Sequence, residues 1–141
     1  MILSVGKEST WTFLSYVKES GSEVVADWYA GESEEAVYAF QNFVKTDRKT
    51  RNHTNWTTWR HKMTGDAGKC GVVELGFKAS GRQYRILSMF NGQMRLVILC
   101  ICYHKGKVWT PKDAIEIATT RAKQVSEGKA KLNVITIADH L

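Results

Sequence analysis

A few residues in this chain combine reactive side chains with suggestive spacing. Cys100-x-Cys102-x-His104 places two thiols and an imidazole on one side of any extended segment, a pattern that invites zinc. A structural zinc site wants four ligands and usually a tighter cysteine knuckle, and no paired second half is present, so no metal is expected. In an apolar run the two cysteines read as small hydrophobes. His104 stands at the end of that run with Lys105 behind it, and an imidazole there is a candidate for proton transfer because it titrates near neutrality. Glu74, on an alternating segment that also carries Lys78 on the same face, could act as a general base; a surface cross-strand pair with a lysine is the more ordinary fate of such a glutamate. Residues 45–69 add Lys45, Arg48, Lys49, Arg51, Arg60, Lys62 and Lys69 against Asp47 and Asp66, with Trp56 and Trp59 among them. Such a mixture suits a single-stranded nucleic acid, whose bases stack and whose phosphates pair. It equally suits a solvated loop whose tryptophans pack onto the core. No glycine-rich phosphate loop, H-E-x-x-H or G-x-S-x-G motif occurs.

The rest of the chain must position these groups. Its 141 residues, 43% of them hydrophobic, suit one domain spanning 1–141 with one buried core. Leu96–Tyr103 is the longest apolar run, too short to span a bilayer, so no membrane partner is expected. Met1–Thr10 carries Lys7 and Glu8 and no long apolar stretch, which argues against a secretory signal. Three cysteines cannot all pair within one chain, and together these features point to a reducing cytoplasm. The net charge of +6 is uneven: residues 1–36 hold two lysines and seven acids, whereas residues 37–141 hold eighteen basic residues and seven acids. A basic body suggests a polyanionic partner, or simply solubility.

Thr10–Lys18 alternates as a strand, and Ser22 can cap a short helix to Ala30. Ser33 caps a longer helix, with Glu34 and Glu35 in its first turn and Val37, Phe40 and Val44 as its apolar stripe. Gly71–Lys78 alternates, with Glu74, Gly76 and Lys78 on one face. Arg82–Phe90 is the next strand, and Asn91-Gly92 predicts a two-residue hairpin leading into Gln93–Tyr103. That register pairs Phe90 with Gln93 and Arg85 with Ile98, leaving His104 roughly 20 Å beyond Arg85's partner on a straight strand. Thr110 as N-cap and Pro111 at the first helical position open a helix through Ile115, Ala118, Ala122 and Val125 to Gly128. Asn133–Ile137 reads as a last short strand or a tail. The expected fold class is α+β: about four mostly antiparallel strands in the order β-α-α-β-β-β-α, with helices packed on the sheet.

In this order of elements, Glu74-Leu75-Gly76-Phe77 and Tyr84-Arg85-Ile86-Leu87 resemble strands of the RelE/HigB-like toxin superfamily. The stretch Tyr103-His104-Lys105-Gly106-Lys107-Val108-Trp109-Thr110-Pro111 is similar to the Phe-x-Lys-Lys-Thr-x-Lys-Thr-Pro signature of its phage-derived HigB-like branch. Ile115, Ala118 and Arg121 continue that branch's helix pattern. The similarity is good over roughly residues 71–123 and weak over 10–50.

The resemblance implies a small cytoplasmic toxin of a type II toxin–antitoxin module. Such toxins cleave mRNA on the ribosome without a metal or other cofactor and are neutralised by a cognate antitoxin, often of helix-turn-helix type. Arg85 matches the arginine that contacts the scissile phosphate; the alternative is an ion-paired structural arginine. Glu74 or His104 would move protons and Lys105 would match the first lysine of the signature, so the catalytic candidates are Arg85, Glu74, His104 and Lys105. Lys78, Arg82, Lys107, Lys62, Arg60 and Tyr103 are candidates for RNA binding. Two positions depart from the pattern: Gly76 stands where a cation is common, and Gly106 replaces the second lysine. Both departures favour the alternative of a phage- or mobile-element-derived protein that binds RNA, the ribosome or a protein partner without cleaving.

Overall fold

The two strands of the apolar hairpin organise the molecule. The computed structural model describes residues 10–137; the Met1–Thr10 signal reading lies almost wholly outside them. Strands β3 (Val72–Ala79), β4 (Arg82–Phe90) and β5 (Arg95–Lys105) form an antiparallel meander. Its first turn, Ser80-Gly81, has φ of 50° and 72°, a left-handed pair that glycine accepts readily and serine less so. Glu35 steadies it by accepting from the Ser80 backbone N–H and hydroxyl.

The sheet is larger than four strands and is mixed. Its path is β2 (Trp59–Lys62), β3, β4, β5, β1 (Thr12–Val17), β7 (Lys131–Val134), with β6 (Val108–Thr110) paired to β5, so the expected four-strand, mostly antiparallel sheet is corrected to seven strands with four helices among the described residues. β1 runs parallel to β5, with Thr12 opposite Arg95 and Ser15 opposite Ile98. The added strands β2 and β6, and β7, which lies at Lys131–Val134 and only overlaps the Asn133–Ile137 strand or tail expected, are three or four residues long and largely exposed, so they lack the sustained alternation that identifies a strand from sequence.

Helices cover both faces. On one side α2 (Glu34–Asp47) packs Phe40, Phe43 and Val44 against Phe13, Leu75, Ile86 and Ile98. Its Ser33 cap is as expected, the side chain accepting from the Ala36 N–H. The short α1 (Val24–Ala30) precedes it and sends Val24 and Val25 into opposite cores. On the other side α4 (Ala114–Ser126) and the short α3 (Gly65–Lys69) pack against Leu87, Met89, Val97, Leu99 and Cys100. The expected start of α4 is also corrected. Thr110 belongs to β6, paired with Tyr103, so it cannot cap, and the helix begins at Ala114 after Asp113.

Segment 45–69 is ordered by one carboxylate. Asp47, 1% exposed, accepts from the backbone N–H and hydroxyl of both Thr57 and Thr58. Trp56, 4% exposed, packs against Trp11 and Phe13 and donates to the Thr50 carbonyl, while Trp59 stacks against Phe90 with the ring planes 30° apart. Trp56 is thus core and unavailable for base stacking. Replacing Asp47 with alanine strands four buried or half-buried donors, with an expected loss of about 2–4 kcal/mol in urea unfolding.

Candidate active site

The face of the sheet carrying Glu74 and Arg85 acquires its neighbours through two β-bulges. In β5 the register shifts so that Leu87 pairs with Cys100 while Ser88 pairs with Ile98, leaving Leu99 as the extra residue. A bulge bends the strand and re-aims the side chains beyond it. Here it sets Cys102 opposite Arg85 and His104 opposite Gln83. The four-residue connection Asn91–Met94, with Met94 at φ 58°, replaces the expected two-residue turn and pairs Phe90 with Leu96. The predicted register of Arg85 against Ile98 is corrected accordingly. His104 becomes a diagonal neighbour of Arg85, about 7–8 Å away between backbones instead of about 20 Å. The Leu99 carbonyl accepts from Arg121 Nη1 at 2.7 Å, so the helix arginine secures the bulge. Its guanidinium also lies over the Tyr16 ring.

The second bulge lies in β2. Trp59 pairs with Leu75, but His61 pairs with Glu74, so Arg60 is the extra residue. Regular pairing would put Arg60 opposite Glu74. The bulge gives that place to His61, whose Nε2 lies 3.7 Å from Glu74 Oε2. Residue type alone gave no reason to select His61.

Glu74 and Arg85 are 7% and 5% exposed, and Arg85 Nε lies 3.1 Å from Glu74 Oε2. This is a charge contact without hydrogen-bond alignment, since Arg85 Nε has no hydrogen-bond partner among the described residues. Nη1 donates to the Tyr84 carbonyl at 2.9 Å. Burial lowers the Arg85 pKa, Arg60 adds to that, and Glu74 and Cys102 oppose it. The space for the guanidinium comes from Gly76, directly opposite in β3. A Cβ there would sit 2.6 Å from Arg85 Nη1 and 3.1 Å from the Tyr84 carbonyl.

The remaining candidates divide between the two faces. Lys78 pairs with Gln83 and shares the Glu74 face at the sheet end where the β5–β6 turn brings Lys105 and Lys107. Arg60 is close enough to influence Arg85, whereas Lys62 pairs with Val73 and faces the other way, beside His53. Burial, with Lys62 second, holds His53 below its ordinary range. Arg82 and Tyr103 also lie on the opposite face: the Arg82 guanidinium covers the Tyr103 ring at 4.3 Å and sits 3.9 Å from Glu32. His104 turns its ring edge to Trp109 and pairs Nδ1 with the Gly106 carbonyl. Gly106, at φ 64°, occupies the left-handed position of a tight turn, which accounts for glycine in place of the second lysine. Cys102 stays a thiol, its pKa raised by the hydrogen bond with Cys100 and by burial. Among the described residues no group of three or more His, Cys, Asp and Glu could hold a metal ion, and no helix is long and apolar enough to cross a membrane.

Behind this site Tyr84 donates to Glu32 at 2.7 Å, and burial together with that bond pushes its pKa up to about 12. Above about pH 10 the unfolded chain loses the phenolic proton while the folded chain keeps it, so stability falls between about pH 10 and 12. Urea titrations across that range are expected to show the decline, and Tyr84→Phe to flatten it.

No curated protein and no solved structure matches the chain. Residues 54–123, which run from the 3₁₀ turn at His53–Asn55 through β2 to most of α4, carry His61, Glu74, Arg85, His104 and Arg121. Over this stretch the chain matches the family described as phage derived protein Gp49-like (DUF891), a RelE/toxin-like family.

Proposed function

We propose that the chain is a toxin-type endoribonuclease, of the HigB-like kind, that cleaves mRNA on the ribosome through attack of a ribose 2′-OH on the adjoining phosphate. The observation that carries this reading is the Glu74–Arg85 pair seated over Gly76. A carboxylate beside a fixed guanidinium supplies a proton acceptor next to a cation for the charge that builds on a pentavalent phosphate. Lys78, Lys105 and Lys107 at the neighbouring end of the sheet suit the flanking phosphates. The Gp49-like match supports a toxin setting, in which a helix-turn-helix antitoxin would hold the protein silent in the cytoplasm.

Induced expression without an antitoxin is expected to arrest growth and to leave transcripts cut at mapped positions. Harmless expression with intact transcripts would defeat the nuclease reading. One observation favours the alternative of binding without cleavage: Arg85 is deeply buried and already engaged by Glu74 and the Tyr84 carbonyl. RNA retention that weakens steeply with salt, without cleavage, would identify that case.

A further inference from the structure

We propose that His61 is the second proton-transfer group of this site, giving its Nε2 proton to the departing 5′-oxygen while Glu74 takes the proton of the 2′-OH. The proposal rests on the nuclease reading above and adds a residue to it. Three features of the edge strand support it. The bulge at Arg60 turns His61 onto the Glu74 face, where regular pairing would have put the arginine. The ring is then oriented by its other nitrogen, since Nδ1 lies 2.9 Å from the Lys62 carbonyl. An Nδ1–H donated there leaves Nε2 as the working nitrogen, directed at Glu74. Finally, the His61 side chain is 60% exposed while Glu74 is buried, so the imidazole can reach a leaving group at the solvent edge.

The step balances within the site. The 2′-oxygen forms a bond to phosphorus as its proton passes to the Glu74 carboxylate. The bond from phosphorus to the 5′-oxygen breaks, and that oxygen takes the Nε2 proton of imidazolium His61. The products are a 2′,3′-cyclic phosphate and a 5′-hydroxyl. Glu74 is left protonated and His61 neutral, 3.7 Å apart, and a proton passing from carboxyl to imidazole restores both for the next turnover. His104 lies on the far side of Arg85, two strands from Glu74, and cannot close this cycle.

The test compares two substrates: an oligoribonucleotide spanning the linkage that the unaltered protein cuts, and the same strand with sulfur as the bridging 5′ atom. Thiolate leaves without a proton, so loss of a donor affects only the oxygen substrate. His61→Gln is expected to slow cleavage of the oxygen substrate by about 10²–10⁴-fold while leaving the sulfur substrate within a few-fold of normal. His61→Asn, which keeps an N–H for the Lys62 carbonyl, should behave alike and melt as the unaltered protein does. Equal loss on both substrates, or no loss on either, overturns the donor role and leaves the nuclease reading standing. An unaltered protein that cuts neither substrate, with or without ribosomes, overturns both.

Discussion

Replacing Arg85 with alanine is expected to lower the proposed RNA cleavage by about 10²–10³-fold or more, the effect of removing a pre-positioned cation from a developing phosphorane. The same change leaves Glu74 buried without its counter-charge, at an expected cost of about 3–5 kcal/mol in stability. Loss of activity in Arg85→Ala is therefore interpretable only beside a companion that keeps the charge. Arg85→Lys retains a cation but has neither the planar fork nor the reach to the Tyr84 carbonyl. It should remain folded by circular dichroism and still cleave far more slowly in single-turnover assays. If Arg85→Lys cleaves at the unaltered rate, the guanidinium is structural, and the phosphate is held elsewhere. The positive charge at position 85 would then matter only as the partner of Glu74.

Local signals were enough for the parts of the fold built from local contacts. The Ser33 cap, the bounds of β4 and the stripe Ala118, Ala122 and Val125 all depend on residues within a few positions of one another. The choice of Arg85 and Glu74 came from strand motifs, but their union did not, because alternation places a residue on a face without saying what covers it. Glu74 reads as a general base or as a surface residue paired across strands with a lysine; it is buried, with β2 lying against β3 and His61 beside it. The parallel pairing of β1 with β5 joins segments some eighty residues apart, and nothing in Thr12–Val17 names its partner. The bulges are the least visible devices of all. Each inserts one residue, Arg60 or Leu99, into an otherwise regular ladder. Each also changes which side chains share a face, so a one-residue error in register separates His61 from Glu74 and His104 from Arg85. Arg121 offered a faint trace: a long cation on the inner side of a helix needs an acceptor, and the bulged Leu99 carbonyl is that acceptor.

Gly76→Ala is the sharper probe of how the site is assembled, because it adds a single methyl group and removes no charge. The Cβ would lie 2.6 Å from Arg85 Nη1, closer than non-bonded atoms approach, and 3.1 Å from a backbone carbonyl that cannot retreat. The guanidinium must therefore lift off β3, losing its bond to Tyr84 or its contact with Glu74. A displacement of about 1 Å in a positioning group costs about 10²-fold in rate, and the overpacking itself about 1–3 kcal/mol. Cleavage should consequently fall almost as far as in Arg85→Ala, although every charged residue is still present. Gly76→Arg should fare no better, even though a cation is common at this point of the toxin motif, because its side chain would contend with Arg85 for one space. Full activity in Gly76→Ala would mean that the seat over residue 76 is incidental. Arg85 would then have to reach its phosphate from another position.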